Sequence, residues 1–236
     1  MSMRYKGGVI SATAPTTSSS AATGVWTLQQ QLQAIAAGNW PPLVIGAAYQ
    51  GGYFAGQIST AGTGVADYNL VIGPVASAQN SSKQWKTSAT STSGTTSAID
   101  GPANSAAMND ASHPAAFFCE GLTIGGFSDW YMPAKNELEV CYYNLKPTTT
   151  GNYTSSGINA NAVPARASNY TSGNPAQTSA TNFITGGAEA FTPVAYWSST
   201  QSNAANALYQ IFNAGDQFAG NKTAYYRVRA VRRVAV

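Results

Sequence analysis

The side chains able to do covalent or acid–base chemistry are few and scattered in this sequence. His113 stands alone before Pro114 in a polar stretch, with no neighbouring motif that would supply a partner for proton transfer. It reads as a surface or capping residue. Cys119 and Cys141 are the two cysteines, too few for a zinc site of cysteines and histidines. Gly51-Gly52 and Gly125-Gly126 lack the lysine, hydroxyl or third glycine that a phosphate-cradling loop requires. Asp129, Glu137 and Glu139 lie close in sequence, and read as a turn residue and first-turn helix charges favoured by the dipole. No nucleophile–base pair or carboxylate dyad is evident. The expectation is a protein that is not an enzyme and needs no metal or cofactor.

Hydrogen bonding and stacking remain. Asn203, Asn206, Tyr209, Asn213, Asp216, Gln217, Asn221 and Tyr225 crowd into one stretch near the C-terminus. Amides offer donors and acceptors to sugar hydroxyls, and tyrosine adds an apolar plate with a polar tip. The mix is that of adaptable binding loops, so these eight are the candidate ligand-binding residues. The competing reading is that the asparagines simply make turns between strands.

The elements that must position them follow from pattern. Trp130-Tyr131-Met132 suit a pleated half-buried strand, which Pro133 ends for want of an amide hydrogen. From Lys135 a helix is expected, with Leu138, Cys141, Tyr142 and Leu145 at helical spacing. Strands are expected at 44–48, 53–58, 68–75, 195–199, 207–212 and 225–234, and short helices at 104–110 and 115–121. Residues 87–98 read as an exposed Ser/Thr loop, and 146–190 as a long loop without sustained period. Charged residues are only 9%, yet 13 Tyr, 8 Phe and 5 Trp supply a core, so the chain is globular with a polar, weakly charged surface.

Three ordered pieces, "DWYMPAKNEL", "YWSST" and a terminal "VRAVR", together with "YQGGYFAGQI" upstream, resemble the Lcl-type domain. This is a branch of the C-type-lectin-like fold named for the Legionella collagen-like adhesins. The resemblance covers roughly residues 45 to 234. It implies an α+β, C-type-lectin-like fold: a mostly antiparallel twisted sheet, two short helices and long loops, with both ends of the domain meeting in one sheet. It makes Trp130, Pro133, Glu137, Trp197 and Arg229 structural motif residues. It also implies that the arginines of the last strand hydrogen-bond loop carbonyls or the few carboxylates, and are not a nucleic-acid patch. Calcium-binding lectins of the fold carry acidic triplets that are missing here: Asn174-Pro175-Ala176 has no acidic partner, and Trp197 is followed by Ser198-Ser199. The resemblance would place the two cysteines on two helices where a bridge is geometrically conceivable. Synthesis in a reducing compartment favours two buried thiols.

Residues 1–42 read as a separate module before a 43–236 lectin-like domain: a strand at 5–12, a loop at 13–23 and a helix from Leu28 to Ala37 behind the capping box Thr27–Gln30. This stretch is similar to the opening of many marine and cyanobacterial phage virion proteins. The reading is a bacteriophage virion protein, a tail or head fibre adhesin. Residues 1–42 would grip other virion proteins and the lectin-like domain would bind a host-surface glycan or protein. A homotrimer is expected by analogy with fibres and spikes. The alternative is a head-decorating or neck protein whose domain has no receptor. No signal peptide or membrane-spanning run is visible, so synthesis in the host cytoplasm and residence in the virion are expected, without membrane insertion.

Overall fold

In a computed structural model of the chain, the described residues are 17–18, 21–22, 27–29, 32–33 and 43–236. Two compact units divide it, residues 1–44 with Val236, and Ile45–Ala235. In the first, β1 (Thr17–Ser18) pairs antiparallel with β2 (Ala21–Ala22). Leu28, Gln29, Leu32 and Gln33 are helical. The strand expected at 5–12 and the rest of the expected helix lie outside the described residues.

The larger unit holds two sheets and short helices. The first sheet has the order β12 (Val231–Ala235), β5 (Tyr68–Ile72), β4 (Gly52–Ile58), β3 (Ala48–Tyr49), with β7 (Ala162–Val163) also on β4. All its pairings are antiparallel, and it joins both ends of the unit. The second sheet runs β10 (Gln217–Asn221), β9 (Asn206–Ile211), β8 (Ala195–Gln201), β11 (Tyr225–Arg229), β6 (Gln79–Gln84). Only β8 and β11 are parallel in it. The single strand expected at 225–234 is therefore two strands in two sheets. The chain crosses between them at Ala230, whose N–H donates to Ala78 and whose carbonyl accepts from Gly73. The turn α1 (Val75–Ala78) makes another crossing beside it, from β5 to β6.

Helices α2 (Gly101–Ala106), α3 (Pro114–Glu120) and α4 (Lys135–Leu145) complete the described elements of this unit. The expected Trp130–Met132 strand shrinks to one bridge, Tyr131 with Val231, because Met132 gives its N–H to the Ser105 side chain. The amides at the start of α4, left without helical partners, find them elsewhere. Ala134 N–H donates to Glu137 Oε2 at 2.8 Å, Lys135 N–H to Thr200 Oγ1 at 3.0 Å, and Asn136 N–H to the Ala98 carbonyl at 2.8 Å.

Two apolar clusters form the core. One gathers Leu138, Cys141, Tyr142 and Leu145 of α4 against Ile58, Leu70, Tyr196 and Phe212. The other gathers Trp85, Met108, Cys119, Trp130, Met132, Trp197 and Val228. The 87–98 stretch is less exposed than its composition suggests: Thr92 and Thr95 are buried.

Candidate functional site

The motif residues hold the frame. Trp130 and Trp197 are buried, their indole N–H groups donating to the carbonyls of Phe127 at 3.1 Å and Lys83 at 3.0 Å. The Pro133 carbonyl accepts from Ser199 N–H at 2.8 Å, which ties the two aromatic motifs together. Glu137 is fully buried, taking hydrogen bonds from the Tyr131 hydroxyl and from Arg233 Nε at 2.8 Å. It is the first-turn charge expected from sequence, and it is buried as a core ion-pair partner of Arg233. Arg232 grips Asp129 with two bonds of 2.7 and 2.9 Å. Three arginines of the last two strands, Arg229 of β11 and Arg232 and Arg233 of β12, are in this way bound to Glu189, Asp129 and Glu137.

The eight candidate ligand residues divide. Opposed residues share a face of a sheet and neighbours along a strand alternate. Tyr209 stands opposite Phe218 and Trp197, whereas Gln210 stands opposite Gln217 and Asn206 opposite Asn221. Tyr209 therefore faces one side, while Asn206, Gln217 and Asn221 face the other. Asn203 and Asn221 close turns: Asn203 Oδ1 accepts from Ala205 and Asn206 N–H, and Asn221 Oδ1 from Thr223 N–H and hydroxyl. Asn213 and Asp216 flank the β9–β10 turn, where their carbonyls accept from Thr148 Oγ1 and Ile211 N–H. Gln217 lies against the long loop, its N–H donating to Ser156 Oγ at 3.1 Å. Tyr225 is 64% exposed.

On the Tyr209 side lies a row of rings that sequence reasoning grasped only at Tyr209. Tyr226 and Trp197 lie 4.4 Å apart between centroids, Tyr226 and Tyr209 4.9 Å, Tyr209 and Phe218 6.4 Å, Phe218 and Tyr153 5.5 Å. Trp197 is the buried floor, Tyr209 and Tyr226 are half-buried, and Phe218 and Tyr153 are 41% and 39% exposed. A Cβ on Gly220 would come within 3.0 Å of both the Tyr209 and Tyr226 rings, so the glycine leaves them their space. Among the described residues the Tyr209 and Tyr226 hydroxyls make no hydrogen bond, and burial, Tyr226 and Asp216 raise the Tyr209 pKa above its usual value. The signal available in sequence was Phe218, two residues from Gly220 on a strand that its alternation did not announce. Tyr153 comes from a distant loop and left none.

The structure also assembles a chain that sequence spacing concealed. Both Asp110 carboxylate oxygens lie 3.0 Å from His113 Nδ1, His113 Nε2 lies 2.9 Å from Thr92 Oγ1, and Lys86 Nζ donates to that hydroxyl at 3.0 Å. The order acid, imidazole, hydroxyl is that of a nucleophile relay. Here Thr92 and His113 are both buried and Lys86 takes the far side of the hydroxyl, so a substrate carbonyl has no approach. The chain instead pins the 88–95 segment to the start of α3. An open cleft of about 600 Å³ is lined by Thr60, Tyr68, Ile99, Asp100, Pro102 and Arg233. Its arginine is already engaged by Glu137 and the Ile99 carbonyl. Among the described residues no three His, Cys, Asp or Glu side chains are grouped to hold a metal ion, and no helix is long and apolar enough to cross a membrane.

The model of the Lcl C-terminal domain family matches residues 76–232, more than half of the chain. No curated protein matches. Among solved structures, a fimbrial protein from Bacteroides ovatus ATCC 8483 is similar at 15% identity and a TM-score of 0.39, over 69% of this chain and 35% of that one. This chain thus spans about a third of that protein's length.

Proposed function

This chain belongs to the Lcl C-terminal domain family, and we propose that it is an adhesin whose lectin-like domain binds a surface glycan. The observation that carries the reading is the aromatic row of half-buried Tyr209 and Tyr226 and exposed Phe218 and Tyr153, across three strands and a loop. Such rings stack on the apolar face of a pyranose, and the Tyr209 and Tyr226 hydroxyls, which make no hydrogen bond among the described residues, answer its hydroxyls. A surface with few charges suits a neutral sugar ligand, and binding needs no calcium. The fold is proposed to be a C-type-lectin-like one. The N-terminal resemblance supports a bacteriophage virion protein attached through residues 1–42, and a homotrimer, by analogy with fibres and spikes, would multiply weak single contacts.

The test is binding of the full chain to intact candidate host cells, with and without chelator. Saturable, chelator-insensitive binding that soluble host glycan displaces supports the adhesin. No binding, while the chain still joins particles through its N-terminus, would replace it with a decorating protein without receptor.

A further inference from the structure

Lys146, the first residue after α4, is 1% exposed although it carries an ammonium group. It donates to the carbonyl of Thr150, to Asn152 Oδ1 at 2.7 Å and to the Pro175 carbonyl at 3.3 Å. All three acceptors are neutral, and among the described residues no carboxylate pairs with it. Burial lowers its pKa from the usual lysine value. A buried charge without a counter-ion persists only where oxygens replace its water, and three do so here.

Asn152 is fixed in turn. The Tyr142 hydroxyl donates to the same Oδ1 at 2.6 Å, and Nδ2 donates to the carbonyls of Thr171, Ser172 and Pro175 at 3.0, 3.2 and 2.8 Å. One ammonium and one amide therefore collect four carbonyls of a loop that has almost no regular structure of its own. The residue after Asn152 is Tyr153, whose N–H donates to the Ala214 carbonyl at 2.8 Å and whose ring rests on Phe218.

We infer that Lys146 is a built-in cation: its ammonium fills an oxygen cage made by the loop, orders residues 147–176, and so positions Tyr153 at the end of the aromatic row. Only the last step rests on reading that row as the ligand face. An apolar side chain of the same length would leave the Thr150 carbonyl without its donor, and would take from Asn152 Oδ1 and the Pro175 carbonyl one of the two donors each now has, so the ammonium and not its volume is the ordering agent.

The test removes the group and returns it. In the full chain, Lys146→Ala should raise proteolytic cleavage within 147–176 about tenfold, as local opening becomes easier. Propylammonium chloride, which restores the missing stem and charge, should return most of the protection, and 1-propanol should not. Equal rescue by propanol, or full protection in Lys146→Met, would overturn the inference. If Lys146→Ala does not fold, ¹⁵N-lysine NMR of the wild-type chain decides: Lys146 must appear as a slowly exchanging ammonium, and a neutral amine there overturns it. A loop rescued by propylammonium in a protein that binds no glycan would sink the ligand reading alone. Glycan binding that depends on Phe218, with a loop indifferent to Lys146, would sink this one alone.

Discussion

Arg229 of β11 and Glu189 of the long loop form a buried ion pair, Nη2 2.7 Å from Oε2, and the arginine is 1% exposed. Its other nitrogens donate to the carbonyls of Glu189 and Gly73, each at 2.8 Å. One guanidinium thereby locks the end of the long loop to the place where the chain passes between the two sheets.

Removing one partner strands the other. Arg229→Met should lose about 3–5 kcal/mol of stability, since a carboxylate and two carbonyls are left in the interior. Glu189→Gln should lose less, because the amide oxygen still accepts. Denaturant unfolding of both variants checks the order, and a neutral Arg229→Met would refute the role.

The aromatic row should be separable from the fold. Phe218→Ala, at a half-open edge position, should cost no more than about 1 kcal/mol of stability. It should weaken cell binding, each ring contributing about 0.5–1.5 kcal/mol beyond its area, and the loss should grow when several copies bind together. Gly220→Val, by pushing the Tyr209 and Tyr226 rings, should do the same. Binding unchanged in both variants would move the ligand face elsewhere.

His113 gives a pH signature. Burial is the largest cause holding its pKa below the usual 6.5; Asp110 pulls the other way, and Lys86 and Lys222 add to the lowering. The native state therefore takes up the proton less readily than the unfolded chain. The stability it contributes is complete above pH 6.5, the unfolded value, and is lost as pH falls below that through the lower native one. Wild type should lose more stability between about pH 8 and about pH 5 than His113→Gln does. Parallel pH curves for the two would count against the buried, neutral imidazole.

The thiols should be silent. Cys119 lies in the cluster of Trp85 and Trp130, Cys141 in that of Leu138 and Tyr142, and both are free and buried. Burial pushes both thiols upward. Neither should react with a thiol reagent in the native protein, both should after unfolding, and a reductant should leave the unfolding midpoint unchanged. Prompt labelling of either in the native chain would contradict this packing.

By itself the sequence determined what is local. Apolar residues at helical spacing from Leu138 make α4 wherever that segment docks, whereas the strand expected before Pro133 needed a partner edge and is only a single bridge. The motifs "DWYMPAKNEL", "YWSST" and "VRAVR" marked the family because they are the points where the frame closes on itself: Pro133 on Ser199, Glu137 on Arg233, Asp129 on Arg232. Amide and tyrosine crowding near the C-terminus was visible too. Which of those residues share a face was not, because alternation has meaning only once the register of β9 and β10 is set. Tyr209 then falls on one side, and Asn206, Gln217 and Asn221 on the other. Tertiary structure alone brought Tyr153 to Phe218, His113 to Thr92 and the Pro175 carbonyl to Lys146. Those contacts join segments with no common period, and a hydrogen bond to a backbone carbonyl leaves no trace in the identity of the residue that offers it.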